Sequence, residues 1–339
     1  MKGPPAPMSE FMTPFLPYYA ALPYAAAPAW CFPINEIVIY ALLLLCLWHA
    51  RKQGVHAVAY LLGGVIFGLL LEYFEVLTDS YVYGHFWIML GRTPHDIPLW
   101  VGCAWGIIMY TARLFSDYLG LPLFAAAAMD TLLALNIDVS MDVVAYRLHM
   151  WHWPWKNIHL ALTSQWFGIP YGNFVGWATV VFCYSGFTRM FEQWMSRSTP
   201  GGSAKAGLIA AVAVLSSLVV LIGTETVLFP VLLRLGITSG IRLVLIVATL
   251  AALVVIRWPK RQGPSFSIPG IALWVPAWFH VLFVACFFAF GFYRENRWMT
   301  TAAVINLLLG MAVHLYPFRL QARSGAPAFG ESAAERLMR

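Results

Sequence analysis

The sequence predicts an all-α protein, a polytopic transmembrane helical bundle of about eight or nine spans. Of its 339 residues, 60% are hydrophobic and only 11% are charged, whereas a soluble protein is about 45–50% apolar and about 25% charged. The sequence contains repeated apolar runs of roughly 20 residues, the length that a helix needs to cross the bilayer core. These runs lack the two-residue alternation that is typical of barrel strands. We therefore expect helices in lipid rather than a soluble domain or a membrane barrel.

The expected helices lie at about 34–50, 56–78, 97–117, 121–147, 171–194, 206–229, 237–257, 271–293 and 298–317. A hydrophilic stretch at 195–206 separates a first half rich in aromatic and acidic residues from a second half rich in Leu, Val and Ala. Such a stretch is typical of a loop. The sequence thus predicts a Pro/Ala-rich segment at 1–33, a helical half that carries the chemistry at 34–195, a loop at 196–205, accessory helices at 206–318 and a tail at 319–339.

The net charge of +6 does not predict a nucleic-acid partner, because the 21 Lys and Arg residues are scattered between apolar runs. With nine spans and an outside N-terminus, most of these cations fall on the inner side, so we expect a cytoplasmic C-terminus. The five cysteines form no CxxC pair. His149 and His152 leave a metal site with Glu72 and Asp142 as an alternative, but the chain lacks repeated histidine boxes. The sequence therefore predicts no disulfide, no metal and no cofactor.

Acidic residues form a first cluster near the end of the second expected helix, at Glu72, Glu75 and Asp79. Spacings of three and four predict that all three lie on one helical face. An ionisable residue within a membrane costs roughly 2.5–3.5 kcal/mol, so such residues indicate a site. At least one of the three carboxyls is expected to be protonated or to meet a cation. The alternative is that this face has reached the headgroup region, where carboxylates are solvated.

A second acidic cluster lies on the fourth expected helix, at Asp130, Asp138 and Asp142, and the last two are one turn apart. The alternative reading is an ion pair with Arg147, although one arginine cannot neutralise three aspartates. Trp151 and Trp153 follow closely and are expected to line a cavity, because an aromatic ring face stabilises a nearby cation. Trp155 is expected to be an interfacial anchor.

The tract from Trp166 to Trp177 resembles the YxGxPxxNFxGW signature of the membrane carotenoid hydratases, which include bisanhydrobacterioruberin hydratase and γ-carotene 1′-hydratase. The order of the upstream acidic and Trp elements is also similar to that family. The upstream positions that resemble its motifs are Glu72 with Thr78, Tyr81 with Tyr83, Pro98 with Trp105, Asp138 with Asp142, and Trp151 with Trp153. The resemblance covers about residues 65–180, roughly a third of the chain.

The chain departs from the family pattern at three positions near its acids. Glu75 and Asp79 stand where the family has glycines, and Val143 replaces the proline that follows the second aspartate. Glu75 and Asp79 are therefore auxiliary acid candidates that are able to change the protonation or the reaction of the site. The resemblance thus supports the fold and the substrate class better than the exact activity.

The resemblance implies an enzyme that adds water to the terminal C=C of an acyclic carotenoid end group. Such a reaction needs a shielded acid, a group that stabilises a tertiary carbocation and a base that accepts the water's proton. We expect Glu72, Asp138 and Asp142 to be these catalytic groups. The expected substrate-binding residues are Trp105, Trp151, Trp153, Tyr171, Asn173 and Trp177. Asn173 is expected to orient water or a carboxyl, and a helix N-cap is an equal alternative for it. Gly172 and Gly176 are expected to serve close helix packing.

The sequence is compatible with three functions. The first is the cofactor-independent hydratase. The second is a non-enzymatic carotenoid- or lipid-binding subunit of a membrane complex, for example a photosynthetic one, that retains the family fold. The third is a proton-coupled transporter, against which the absence of an obvious repeat weighs lightly. The expected partners are a polyene substrate, membrane lipid and other carotenoid enzymes or a pigment–protein complex, in a bacterial or archaeal cytoplasmic membrane.

Overall fold

A computed structural model describes residues 27–80, 82–153, 165–196, 202–258 and 267–323. It confirms the predicted all-α bundle. The helices are α1 Cys31–Gln53, α2 Val55–Leu77, α3 Leu99–Tyr118, α4 Leu123–Arg147, α5 Tyr171–Ser196, α6 Ser203–Gly223, α7 Phe229–Arg234, α8 Ser239–Ile256, α9 Ile271–Ala289 and α10 Arg297–Arg323. A π-helical turn, Thr224–Leu228, joins α6 to α7, and a 3₁₀ turn, Phe292–Arg294, precedes α10.

Eight helical segments in the described ranges are long and apolar enough to cross a membrane, so this is an integral membrane protein. The continuous stretch Ser203–Arg234 forms one of them. Helix α5 was predicted as a further span but is not among the eight. It is nevertheless 26 residues long, about 39 Å at 1.5 Å per residue, and it packs against α4, α6 and α8.

Helix α3 lies at the centre of the bundle and contacts α1, α2, α4 and α9. Nearly all of its residues are buried, as expected for a helix that is enclosed on every side. Two glycines one turn apart, Gly102 and Gly106, allow α2 to approach closely. A Cβ atom at either position lies 2.4 Å from the nearest side-chain atom of Leu69 or Val65. This small-residue packing fixes α2 against α3.

Two short antiparallel ribbons lie outside the helices. Strand β1, Val82–Tyr83, pairs with β4, Trp151–His152, and β2, Met89–Arg92, pairs with β3, His95–Pro98. The sequence analysis predicted no strand here, because two to four residues are too few to show an alternating pattern. The β1–β4 pair places the residues that follow α2 beside those that follow α4.

The prediction that Glu72, Glu75 and Asp79 share one helical face is wrong for Asp79. Helix α2 ends at Leu77, and Asp79 has a left-handed backbone with φ 58°. Its exposed carboxylate contacts His95 at 3.4 Å. Asp79 therefore lies at the surface, where a carboxylate is solvated.

Several predicted boundaries also move. Helix α6 begins at Ser203, inside the predicted loop at 196–205, and α10 continues to Arg323, beyond the predicted start of the tail at 319. Tyr81, Trp155, most of the predicted N-terminal segment and the end of the predicted tail lie outside the described residues.

Candidate active site

Glu72 is a buried carboxylate near the end of α2, with 6% of its surface exposed. Its Oε1 atom accepts a hydrogen bond from Trp105 Nε1 of α3 at 2.7 Å, and its Oε2 atom accepts one from the Tyr83 hydroxyl of β1 at 2.5 Å. Both carboxylate oxygens are thus held by donors from two other elements. Hydrogen bonds of this kind favour the ionised form of a carboxyl group.

Asp138 and Asp142 form a carboxyl pair on α4. They are one turn apart and have 0% and 2% of their surfaces exposed. Asn173 Nδ2 on α5 donates to Oδ2 of both residues, at 3.2 Å to Asp138 and 2.5 Å to Asp142. Because both carboxyls accept from the same amide nitrogen, they lie close together. Two ionised carboxyls that lie this close in a buried site repel each other, so we expect one of them to hold a proton.

The side chain of Asn173 therefore orients carboxyls, which was one of its two predicted roles. The other predicted role, an N-cap, is wrong, because α5 begins at Tyr171 and Asn173 is its third residue. Asn173 has only 6% of its surface exposed. Its burial between α4 and α5 joins the acidic pair to the tract that resembles the hydratase signature.

A small cavity of about 30 Å³ lies among these groups, between α2, α3, α4 and α5. A cavity of this size has room for one or two water molecules. Its lining combines two carboxyl groups with aromatic and aliphatic side chains: Glu72, Tyr83, Trp100, Val101, Ala104, Trp105, Ile108, Met141, Asp142, Trp151, Asn173 and Trp177. The structure thus brings six of the predicted site residues, Glu72, Trp105, Asp142, Trp151, Asn173 and Trp177, to one cavity, with Asp138 behind Asp142.

The aromatic walls of the small cavity are made by two pairs of tryptophans. The ring centroids of Trp105 and Trp177 are 4.0 Å apart, and those of Trp100 and Trp151 are 5.9 Å apart. Trp100 was not predicted, since a tryptophan at a helix start carries no signal that separates it from an interfacial anchor. Ring faces of this kind stabilise a cation that forms beside them.

A large cleft of about 530 Å³ adjoins the small cavity and shares Glu72, Trp105, Asn173 and Trp177 with it. The predicted residues Glu75 and Trp153 line this cleft. Tyr171 lines neither space; its ring packs against Gly240 of α8, where a Cβ atom lies 3.3 Å from the ring. Asp79 is also absent from both linings.

The second half of the chain supplies one wall of the large cleft, including Glu225, Phe229 and Arg242. These residues were missed, although a charged residue within an apolar run is the signal that identified Glu72. The second half is therefore part of the candidate site rather than merely accessory to it.

Gly172 and Gly176, one turn apart on α5, also line the large cleft. A Cβ atom at either position meets no described residue within 4 Å. The prediction that they serve close helix packing is wrong, because none of the described helices reaches them. Among the described residues they leave open space instead.

Asp130 lies apart from the other two aspartates of α4. Its carboxylate accepts hydrogen bonds from Ser116 and Ser185, each at 2.5 Å, and pairs with Arg189 at 3.0 Å. Arg189 also pairs with Asp117. The predicted ion-pair alternative thus holds for Asp130, but with an arginine of α5 rather than with Arg147.

Arg147 at the end of α4 pairs with none of the aspartates. Its guanidinium binds Glu295 through two hydrogen bonds, at 2.8 and 2.6 Å, and donates to the carbonyls of Val143 and Phe167. This ion pair fastens the end of α4 to the segment before α10. No arginine among the described residues pairs with Asp138 or Asp142.

His149 and His152 lie beyond the end of α4, with ring centroids 6.2 Å apart. Burial lowers the pKa of His152 to about 3, and burial also lowers the pKa of His149. Both imidazoles are therefore neutral at physiological pH. Within the described ranges, no three His, Cys, Asp or Glu side chains are grouped so as to hold a metal ion.

Comparisons with known proteins bear on the family of this chain. The family model described as "Carotenoid biosynthesis protein" matches residues 34–255. This range contains every residue that lines the small cavity and the large cleft. No curated protein matches the chain, and no solved structure matches it. Since the model matches well over half of its length, the chain belongs to the carotenoid biosynthesis protein family.

Proposed function

We propose that this protein is an enzyme that adds water to the terminal C=C bond of an acyclic carotenoid end group. The observation that carries the proposal is the small cavity, where one carboxyl of an acidic pair and a separate carboxylate lie inside aromatic walls. A role in carotenoid biosynthesis follows from the family. The hydration chemistry is proposed from the site residues.

The Asp138–Asp142 pair supplies the proton in this mechanism. The two carboxyls share one amide donor, and no described residue is a neutralising cation beside them. They therefore do not both ionise, and one proton stays with the pair. Asp142 lines the small cavity and Asp138 does not, so the proton reaches the alkene through Asp142. Asp138 is a positioning residue that keeps the proton on its neighbour.

Protonation forms a C–H bond at the less substituted alkene carbon and consumes the π electron pair. The other alkene carbon becomes a tertiary carbocation, and the Asp138–Asp142 pair is left with one more negative charge. The ring faces of Trp105, Trp151 and Trp177 stabilise this cation. Because the small cavity has the volume of one or two waters, ring side chains must move to admit the end group.

Glu72 completes the reaction as the base. Its oxygens accept hydrogen bonds from Trp105 and Tyr83, which suits an ionised carboxylate. A water molecule attacks the cation, a C–O bond forms, and Glu72 accepts the proton that the water loses. The product is a tertiary alcohol, and transfer of that proton back to the aspartate pair restores the starting state.

The same proposal includes the setting of the enzyme. It acts on a lipid-dissolved polyene in a bacterial or archaeal cytoplasmic membrane, with its C-terminus in the cytoplasm. The positive residues of the loops support this orientation. Other carotenoid enzymes or a pigment–protein complex are its proposed neighbours, since both the substrate and the product stay in the membrane.

Expression in a lycopene-producing host tests the proposed activity. We expect a pigment that is heavier than lycopene by one water, and its loss by about 100-fold or more in Glu72→Gln and Asp142→Asn, as for removal of a general acid or base. Asp96→Asn is the matched control, because Asp96 lies in the surface ribbon β2–β3 and lines neither the small cavity nor the large cleft. An unchanged pigment profile with correctly inserted protein contradicts the proposal. Unmodified pigment that co-purifies with the protein supports the binding subunit instead.

A further inference from the structure

The large cleft is lined by more charged side chains than the small cavity. Its lining includes nine polar or charged side chains: Glu72, Glu75, Ser80, Gln165, Asn173, Glu225, Thr238, Ser239 and Arg242. Ser80 follows the end of α2, while Thr238 precedes α8 directly. The cleft therefore reaches the end of the bundle, where helix termini meet the water interface.

The charges in the large cleft require a polar occupant. Arg242 stacks on Phe229 at 4.0 Å, but its Nε and Nη1 atoms are buried and have no hydrogen-bond partner among the described residues. Glu225 interacts electrostatically with both Glu75 and Arg242 in the same space. Leaving such groups dry or against hydrocarbon costs several kcal/mol. Water beside these three residues removes that cost.

Glu72 is the carboxylate that lines both spaces, while Asp142 lines the small cavity and is absent from the lining of the large cleft. The base of the proposed mechanism thus faces a cleft that holds Glu75, Glu225 and Arg242 among aromatic and aliphatic groups, whereas the acid faces the small cavity. This separation protects the acid from solvent and gives the base access to water.

From these observations we infer that the large cleft is the water entry of the enzyme. It admits water from the interface past Glu75, Glu225 and Arg242 to Glu72, where the carbocation is captured. Gly172 and Gly176 keep the passage open, because any larger side chain on this face of α5 projects into it. The inference rests on the proposed hydration, and it assigns a function to the second half of the chain.

Gly176→Leu is the variant that tests the water entry. The leucine extends into the cleft without displacing a described neighbour, since a Cβ atom there meets no described residue within 4 Å. Water capture is expected to slow at least tenfold, while protonation by Asp142 continues. Without water, the cation loses a proton to a carboxylate and re-forms an alkene. In D₂O this reversal leaves deuterium in the alkene, so the protonation step is detected as isotope exchange.

The experiment uses membranes of the lycopene-producing host, carrying the full-length protein, transferred to D₂O. The wild type is expected to yield the alcohol with one deuterium on carbon. Gly176→Leu is expected to yield deuterated lycopene at the expense of the alcohol. Gly172→Leu on the same face is a second such variant. Gly207→Leu on α6 is the matched control, because Gly207 also has open space around it but lines neither cavity.

The outcomes distinguish a failure of the proposed hydration from a failure of the proposed water entry. No alcohol from the wild type contradicts the proposed hydration itself. Alcohol from both cleft variants at the wild-type rate overturns the water entry alone. Correctly inserted cleft variants that give neither alcohol nor deuterated lycopene also overturn it, since the cleft then admits the substrate rather than water.

Discussion

The Tyr83 hydroxyl lies 2.5 Å from Oε2 of Glu72, so a two-residue strand outside the helices holds a carboxylate that is buried within the bundle. Strand β1 is itself fixed by its pairing with Trp151 and His152. The segments that follow α2 and α4 thereby position the Glu72 carboxylate on α2. This contact links the β1–β4 ribbon to the proposed chemistry.

Tyr83→Phe removes that hydrogen bond while keeping the ring. A hydrogen bond to a charged group contributes about 1.5–3 kcal/mol, so we expect the hydration rate in isolated membranes to fall roughly 10- to 100-fold. Tyr40→Phe is the matched control, because Tyr40 donates to Glu36 and lines neither cavity. Equal rates for Tyr83→Phe and the wild type would show that the Glu72 carboxylate needs no such support.

Asp138→Asn tests the role of the acidic pair. The amide retains the size of the side chain but cannot share a proton with Asp142, so the proton donor is lost. We expect kcat to fall about 100-fold with an unchanged KM, and partial recovery in Asp138→Glu. A rise in KM with an unchanged kcat points to a structural role, and it contradicts the proton-sharing pair.

Asp130→Asn is expected to act on stability rather than on chemistry. It leaves the buried Arg189 with Asp117 as its remaining carboxylate partner, and breaking a buried ion pair costs about 3–5 kcal/mol. The thermal unfolding temperature in detergent should fall clearly, and the added change Arg189→Met should restore part of it. Loss of activity at an unchanged unfolding temperature would instead make Asp130 part of the chemistry.

His152 makes the folded protein sensitive to acid. Burial lowers its pKa to about 3, while an unfolded chain protonates histidine near pH 6.5. The group therefore contributes stability above about pH 6.5 that is lost as the pH falls towards 3. We expect His152→Gln to lose less stability than the wild type between about pH 7.5 and 4.5, measured by thermal unfolding.

The exposed His85 provides the control for this pH dependence. His85→Gln should lose as much stability as the wild type over the same pH range. An identical loss in His152→Gln would show that the imidazole is already charged, or hydrated, in the folded state.

The sequence was sufficient to predict the helices and the convergence of acids from two of them. Apolar length alone places α2 and α4, and the insertion cost of Glu72, Asp138 and Asp142 identifies them as site candidates. It did not predict that Asp79 leaves the helix, because spacing assumes that α2 continues past Leu77. Nor did it separate Asp130 from its neighbours, since that depends on the position of Arg189 on another helix.

The large cleft was beyond a sequence-based prediction for a different reason. Gly172 and Gly176 have the spacing of a packing motif, and only the positions of the surrounding helices show that no described residue packs against either glycine. Glu225 and Arg242 carried the same signal as Glu72 but lay in a half without a recognised motif. A cleft of this kind depends on contacts between helices that are distant in the chain.

Isotope incorporation by the wild-type protein tests the central claim most directly. Membranes that carry the protein and unlabelled lycopene are incubated in D₂O enriched in ¹⁸O, and the pigments are analysed by mass spectrometry. The account predicts a product with one ¹⁸O atom and one deuterium bound to carbon, because solvent supplies both the oxygen and the proton. Lycopene that is recovered unchanged, or a product whose oxygen carries no ¹⁸O, would contradict it.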